Sequence, residues 1–196
     1  MLRRRRMLFF AVALSAMSAC GADKPQVVAT ESSVVYDFTK QAVALGWSVQ
    51  NDTVMGGVSE SSNTWANKQM VFSGNLSLEN NGGFVSSFGP VDEKLPSLMN
   101  GATTIRLRAT GDGNTYLFQL RGNDGTNFIQ RFTTAAEKER VYELPLSSFT
   151  ATDRFLYEMA DSPPLNTSNV YQMGLYLLDK QTGPFSIAIS SIGVTS

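Results

Sequence analysis

Strict alternation of apolar and polar side chains between glycine-containing turns constrains this chain more than any other feature. Residues 103–109 (TTIRLRA) and 115–121 (TYLFQLR) place apolar side chains at every second position, and a third segment, TNFIQRFTT, starts at residue 126. The turns GDGN and GNDG separate the three segments. A period of two is typical of β-strands, and Asp-Gly between alternating runs is a strong hairpin signal. We therefore predict an antiparallel meander of three adjacent strands.

Short segments of β-branched and aromatic residues continue this pattern over the rest of the chain. Each is bounded by Gly, Pro, Asn or Ser, and no long stretch has a helical period. Residues 147–168, with Pro163 and Pro164, are the least regular and are predicted to form a long crossover loop. Many short strands at this spacing predict an all-β sandwich or barrel over residues 34–196. The additional strand segments are QMVFSG, NLSLE, GFVSSF, RVYELPL, VYQMGLYLLD and PFSIAISSIGV.

The N-terminus has the organisation of an export signal. Four consecutive arginines precede residues 7–19 (MLFFAVALSAMSA), which are apolar but too short for a permanent membrane span. Small residues precede Cys20, the single cysteine, as in the lipobox of bacterial lipoproteins; an ordinary secretory peptide with a chance cysteine is the alternative. We predict a signal peptide at 1–19 and a flexible tether at 20–33 that begins with acylated Cys20. This predicts a protein that is lipid-anchored to a bacterial cell envelope, on the periplasmic side or at the outer membrane.

Charge and residue types exclude several functions. Without the predicted signal the chain keeps 12 basic residues against 17 acidic ones, which argues against nucleic-acid binding. It has no histidine, the commonest general base and a common zinc ligand, and acylation would occupy Cys20. A glycosidase that uses two carboxylates remains a minor alternative, because most Asp and Glu lie in turns and at strand ends. We predict no enzyme activity, no cofactor and no specified metal site, although a calcium site that includes Asp37 is compatible with the fold class.

Two glycine loops have similar chemistry. Residues 51–61 (NDTVMGGVSES) contain a glycine pair, but neither the Lys-Ser/Thr of a P-loop nor the three spaced glycines of a Rossmann loop. Residues 80–84 (NNGGF) form the second loop. Two interpretations are open: these loops are structural turns that pack against each other, or they form a recognition surface where glycine lets a partner approach closely.

Several segments together resemble the complex I intermediate-associated protein 30 family, in order and over nearly the whole domain. They are WSVQNDTVMGGVSES, FSGNLSLENNGGFVS, LRATGDGNTYLFQLR, ELPLSSF and GLYLLDKQTGPFSIAISSIGV. The resemblance implies a galactose-binding-domain-like jelly-roll β-sandwich, in agreement with the strand pattern. It also implies a non-catalytic assembly factor, or chaperone, for a respiratory NADH:ubiquinone oxidoreductase.

Candidate binding residues lie on the predicted strands and in both loops. If the strands of the predicted meander are neighbours, Arg106, Arg121 and Arg131 share one basic sheet face, which suits carboxylates or sugar hydroxyls; a plain solvated face is the alternative. Trp47 is predicted to be core and Trp65 to be exposed, where it could stack on a sugar. The candidate partner-binding residues are Asn51, Asp52, Met55, Gly56, Gly57, Asn80, Gly82, Gly83, Phe84, Arg106, Arg108, Asp112, Gln119, Arg121, Asp179 and Lys180.

Two functional hypotheses follow from these residues. The first is a membrane-anchored binding or chaperone-like module that engages protein partners, including an assembling membrane complex. The second is a carbohydrate-binding envelope lipoprotein that uses a sandwich face and Trp65. Protein recognition should depend on the arginine face and the glycine loops, whereas sugar recognition should be competed by free saccharide.

Overall fold

Two six-stranded antiparallel sheets lie face to face in the computed structural model, which describes residues 32–196. The predicted signal peptide, Cys20 and most of the predicted tether lie outside the described residues. Alternation along each strand turns one row of apolar side chains inward, where the rows of both sheets form the core. The strands are β1 (Ser32–Asp37), β2 (Ser48–Asn51), β3 (Glu60–Ala66), β4 (Gln69–Leu76), β5 (Val85–Phe88), β6 (Thr104–Thr110), β7 (Thr115–Gly122), β8 (Asn127–Thr133), β9 (Glu139–Pro145), β10 (Thr150–Thr152), β11 (Val170–Leu177) and β12 (Gly183–Thr195).

The strand order differs from the chain order in both sheets. Sheet I has the order β3-β4-β12-β6-β9, and β1 also pairs with β12. Sheet II has the order β10-β8-β7-β11-β5-β2. Two short helices, α1 (Gln41–Leu45) and α2 (Leu95–Leu98), lie in connections. The predicted crossover loop at 147–168 contains β10, a three-residue edge strand.

The predicted three-strand meander is wrong at its first turn. β7 and β8 form the expected hairpin in sheet II, but β6 belongs to sheet I. The GDGN segment forms a corner between the sheets, where the Asp112 carboxylate accepts hydrogen bonds from Asn114 N at 2.9 Å and Ser186 N at 2.8 Å. Because Ser186 belongs to β12, this corner is held by a strand distant in sequence, which no local turn signal reveals.

The long strand β12 defines two opposite poles of the sandwich. Gly183 at its start pairs with Leu76, the last residue of β4, and Thr195 at its end pairs with Ser32, the first described residue. Thirteen residues of extended strand separate the poles by about 40 Å. The chain therefore enters the sandwich at one pole, and the loop after β4 lies at the other.

Candidate functional site

The two glycine loops form one structure, which we call the double loop (residues 51–59 and 77–84), built around the carboxylate of Asp52. Asp52 is only 1% exposed. Its Oδ1 accepts a hydrogen bond from Ser59 N at 3.0 Å, and its Oδ2 accepts one from the Ser59 hydroxyl. Oδ2 also accepts from Gly83 N at 2.6 Å and Phe84 N at 3.3 Å. A single buried acceptor therefore joins both loops, as the structural-turn interpretation expects.

The same carboxylate explains why two of the loop residues are glycines. A Cβ at Gly57 would collide with Asp52 Oδ1, and a Cβ at Gly82 would lie 2.6 Å from Asp52 Oδ2. Gly56 has another role, because its φ of 92° lies in the left-handed region and ends a 3-10 turn. Asn51, beside this centre, accepts a hydrogen bond from the Ser61 hydroxyl.

The buried carboxylate makes stability dependent on pH. Burial raises the pKa of Asp52, but the hydrogen bonds from Ser59, Gly83 and Phe84 outweigh this effect and hold that pKa below its ordinary value. The resulting stabilisation is complete above the unfolded pKa of about 3.9 and is lost as the pH falls through the lower pKa of the folded protein. We expect the free energy of unfolding to decrease as the pH is lowered below about 4. Asp52→Asn should flatten part of this dependence of stability on pH, measured by urea titrations at several pH values.

The flattening should be incomplete, because hydrogen bonds to Thr39 and Thr126 also lower the pKa values of Asp37 and Asp124, which lie elsewhere. Asp124→Asn is the control for the effect that removing any aspartate has on the pH dependence of stability. An Asp52→Asn profile as steep as that of the unsubstituted chain would contradict the assigned role of Asp52.

Large apolar side chains project from the double loop into solvent. Val54 and Met55 are 65% and 64% exposed, and Val58 and Leu78 are also exposed. They stand on a backbone that the Asp52 hydrogen bonds hold in place. Asn80, also exposed, has a φ of 54°, a conformation that asparagine tolerates better than most residues. Clustered exposed apolar side chains on an ordered surface are typical of interaction sites.

The second candidate surface is the outer face of sheet II, which we call the sheet II face. Its floor contains a small apolar cluster outside the main core, formed by Phe88, Leu117, Ile129 and Tyr176. Phe84 of the double loop packs on this cluster, with its ring centroid 6.2 Å from that of Tyr176. The double loop and the sheet II face are therefore adjacent.

Arg121 lies on the sheet II face, near the end of β7, in a fixed orientation. Its guanidinium lies 3.9 Å above the Phe88 ring. Nε donates to Gln119 Oε1 at 3.0 Å and Nη1 donates to Gln172 Oε1 at 3.1 Å. Burial raises the pKa of Tyr176, and the nearby Arg121 guanidinium counteracts part of that rise. The cation is thus held by neutral amides and an aromatic ring.

The condition for a single arginine face is not met, because the strands that carry the arginines are divided between the sheets. Arg106 and Arg108 lie in β6 of sheet I and pair with Glu143 and Glu139, each at 3.5 Å. Alternation along a strand cannot distinguish which sheet the strand joins. The outer face of sheet I is therefore charge-balanced at these arginines.

On sheet II, Arg131 pairs bidentately with Asp179, with distances of 2.7 and 3.0 Å. Asp179 and the exposed Lys180 both have positive φ in the turn after β11. This turn therefore forms an ion pair to β8.

The tryptophans differ from the sequence prediction at one position. Trp47 is buried, as predicted, with its ring edge-on to Tyr36 and Phe38. Trp65 was predicted to be exposed but is half-buried against the core, because its Nε1 donates to Phe38 O at 2.9 Å. A sugar-stacking role for Trp65 stays a prediction.

Residues that the sequence analysis did not select complete both surfaces. Gln172, Phe88 and Tyr176 surround Arg121, while Val54 and Leu78 extend the apolar part of the double loop. Gln172 carries the one detectable signal, an amide within the apolar run VYQMGLYLL. The aromatic residues carry no such signal, because an apolar residue on a strand is equally compatible with a position in the core.

Neither a metal centre nor a membrane helix is found in the described part of the chain. Within residues 32–196 no three carboxylate, histidine or cysteine side chains are grouped as a metal site would need. The Asp37 carboxylate accepts a hydrogen bond from the Thr39 hydroxyl at 2.6 Å. No helix between Ser32 and Ser196 has both the length and the apolar character needed to cross a membrane.

The stacked sheets define a galactose-binding-like jelly-roll sandwich, as predicted. Among solved structures, the family 11 carbohydrate-binding module of the cellulosomal cellulase Lic26A-Cel5E of Clostridium thermocellum superposes with a TM-score of 0.60 at 14% identity, over 86% of this chain and 96% of that one. An agarase, AgWH50C, superposes with a TM-score of 0.57 at 9% identity, over 84% of this chain and 24% of that one. At such identities the likeness concerns the fold alone.

The chain belongs to the complex I intermediate-associated protein 30 family, whose sequence profile matches residues 36–189. The "Complex I intermediate-associated protein 30, mitochondrial" of Mus musculus is 27% identical, over 86% of this chain and 58% of the mouse protein. This chain therefore spans a little over half the length of that relative. The family predicted from the sequence is confirmed.

Proposed function

We propose that this protein is a non-catalytic, membrane-anchored binding module that engages a protein partner during assembly of a membrane complex. Membership of the complex I intermediate-associated protein 30 family supports an assembly-related role. The observation that carries the proposal is the double loop, where the exposed side chains of Val54 and Met55 stand on a backbone ordered by Asp52. A preformed apolar surface loses little conformational entropy when a partner covers it.

The position of the double loop fits the predicted lipid anchor. With acylation at Cys20, the membrane attachment leads to Ser32, which lies at the pole of the sandwich opposite to the end of β4. The double loop follows that end, so it lies remote from Ser32. We propose that it faces away from the membrane and toward the partner.

Site-specific photocrosslinking in cells tests this proposal. A photoreactive amino acid at position 55 should yield one dominant crosslinked protein, whereas the same group at position 91 should not, although Val91 is 62% exposed. With the photoreactive group at position 55, Val54→Ser should reduce the crosslink severalfold, because the partner loses apolar contact area. Equal crosslinking from both positions, or none from position 55, would overturn the proposal.

Carbohydrate binding is the second candidate, and the sheet II face favours it. This face presents the polar side chains of Arg121 and Gln172 beside the Phe88 ring, over an apolar cluster that is itself buried, with Leu117 only 1% exposed. Small-molecule sites typically combine apolar surroundings with a few convergent polar groups. This candidate does not require a sugar ring to stack on Trp65.

A further inference from the structure

We propose that the sheet II face binds saccharides that carry a carboxylate, with Arg121 as the anion-binding residue. This inference rests on the carbohydrate candidate and specifies its ligand class as uronate-containing glycans. Three observations support it: the lack of a carboxylate beside Arg121 among the described residues, the fixed orientation of the Arg121 guanidinium, and a row of polar side chains across three strands.

Arg121 lacks the internal counter-ion that three other arginines of the sandwich have. Arg106, Arg108 and Arg131 each have a carboxylate oxygen within 3.5 Å. Among residues 32–196, no carboxylate lies within 4.0 Å of Arg121, whose hydrogen-bond partners are the neutral amides of Gln119 and Gln172. A half-buried cation without a counter-ion favours an anionic ligand, because the pairing is less screened there than at an open surface.

The guanidinium is already oriented for this pairing. It is stacked on Phe88 and held by Gln119 of its own strand and by Gln172 of the neighbouring strand β11. Gln172 is itself fixed, because its Nε2 donates to Gly89 O at 2.8 Å. Arginine has five N–H donors, so N–H groups remain beyond the two bonds to these amides. A planar guanidinium held in this way can bind a carboxylate through two parallel hydrogen bonds.

A row of half-buried polar side chains extends the site across the sheet. Asn127 of β8 and Gln172 of β11 are the direct cross-strand neighbours of Arg121 in β7. Since adjacent strands are about 4.8 Å apart, the row spans about 10 Å. That width accommodates one or two sugar rings, with amides for hydroxyl groups on both sides of the carboxylate site.

The position of the row favours a saccharide over an acidic peptide. β7 lies between β8 and β11, so both its edges are paired in the sheet. An extended peptide is normally recognised at a free strand edge, where main-chain hydrogen bonds supply affinity. The sheet II face offers side chains only. Leu117 and Ile129 beneath it are only 1% and 3% exposed, so recognition depends on the half-buried polar row.

Calorimetric titration of the full chain in detergent tests the inference, with oligogalacturonate and its fully methyl-esterified form as probes. We expect oligogalacturonate to bind and the ester to bind at least about tenfold more weakly, because the ester lacks the anionic partner for Arg121. Arg121→Gln should weaken oligogalacturonate binding by about tenfold or more. Arg106→Gln removes the same charge from sheet I and should leave binding within about twofold.

Arg121→Lys keeps the charge but loses the planar fork, so it should bind oligogalacturonate with intermediate affinity, and it tests the site even if Arg121→Gln does not fold. Equal affinity for the acid and the ester would overturn the acidic ligand class while leaving carbohydrate binding in place. Binding of neither saccharide would overturn both. Tighter binding of poly-glutamate than of oligogalacturonate would overturn the saccharide assignment. None of these outcomes bears on the photocrosslink from the double loop.

Discussion

Asp52→Ala should lower the free energy of unfolding by about 3 kcal/mol or more, because it leaves several buried donors without an acceptor. The donors are the backbone N–H groups of Ser59, Gly83 and Phe84 and the hydroxyl of Ser59. The carboxylate also fills the space that Gly57 leaves open. Urea denaturation of the purified protein should show a lower midpoint with a similar dependence on denaturant concentration.

The Asp52 prediction has two matched comparisons. Asp52→Asn keeps the shape but replaces one acceptor oxygen with a donor, so it should also destabilise the fold and reduce crosslinking from position 55. Asp37→Ala removes an aspartate that binds Thr39 beside it, at an exposed site, and should change the midpoint little. A midpoint for Asp52→Ala equal to that of Asp37→Ala would show that Asp52 does not hold the loops together.

Gly174→Ala should destabilise the protein by about 2 kcal/mol and also weaken oligogalacturonate binding, since the new methyl group displaces the support of Arg121. A Cβ at position 174 would overlap the Phe88 ring, which lies directly over this glycine in the adjacent strand. The Arg121 guanidinium is stacked on that ring. Thermal unfolding and calorimetric titration of one variant measure both effects.

Gly125→Ala is the control for the loss of a glycine as such. Gly125 lies in the turn between β7 and β8, has a φ of 86° and has nothing within 4 Å of a Cβ position. Its substitution should cost about 1 kcal/mol through backbone strain alone and leave binding unchanged. If Gly174→Ala were milder than Gly125→Ala, close packing of Phe88 would not be what selects glycine at position 174.

The candidate sites show where prediction from sequence succeeded and where it failed. Of the two open interpretations of the glycine loops, the one in which they are structural turns packed against each other agrees with the structure. The partner that makes Gly57 necessary, the Asp52 carboxylate, could not be inferred, because Gly57 lies five positions after it along the chain. Partner binding at the predicted residues stays a prediction.

The residue types along the chain determined the secondary-structure elements of this protein. Alternating side chains specify strands, because successive residues of a strand face opposite sides, and glycine, asparagine and proline between the runs specify where strands end. The β7-β8 hairpin, the buried Trp47 and the all-β class could therefore be predicted from the sequence. The family could be predicted because its motifs occur in order along the chain.

Tertiary structure alone decided which strands are neighbours, and with them the candidate sites. The assignment of β6 and β7 to different sheets separates Arg106 from Arg121. The pairing of β7 with β11 places Gln172 beside Arg121, although 51 positions separate the two residues in the chain. Pairing between distant strands depends on the free energy of packing the whole core, and the same alternating pattern satisfies several pairings equally well. The sequence thus specifies the strands and turns, while only the assembled sandwich brings their side chains into a site.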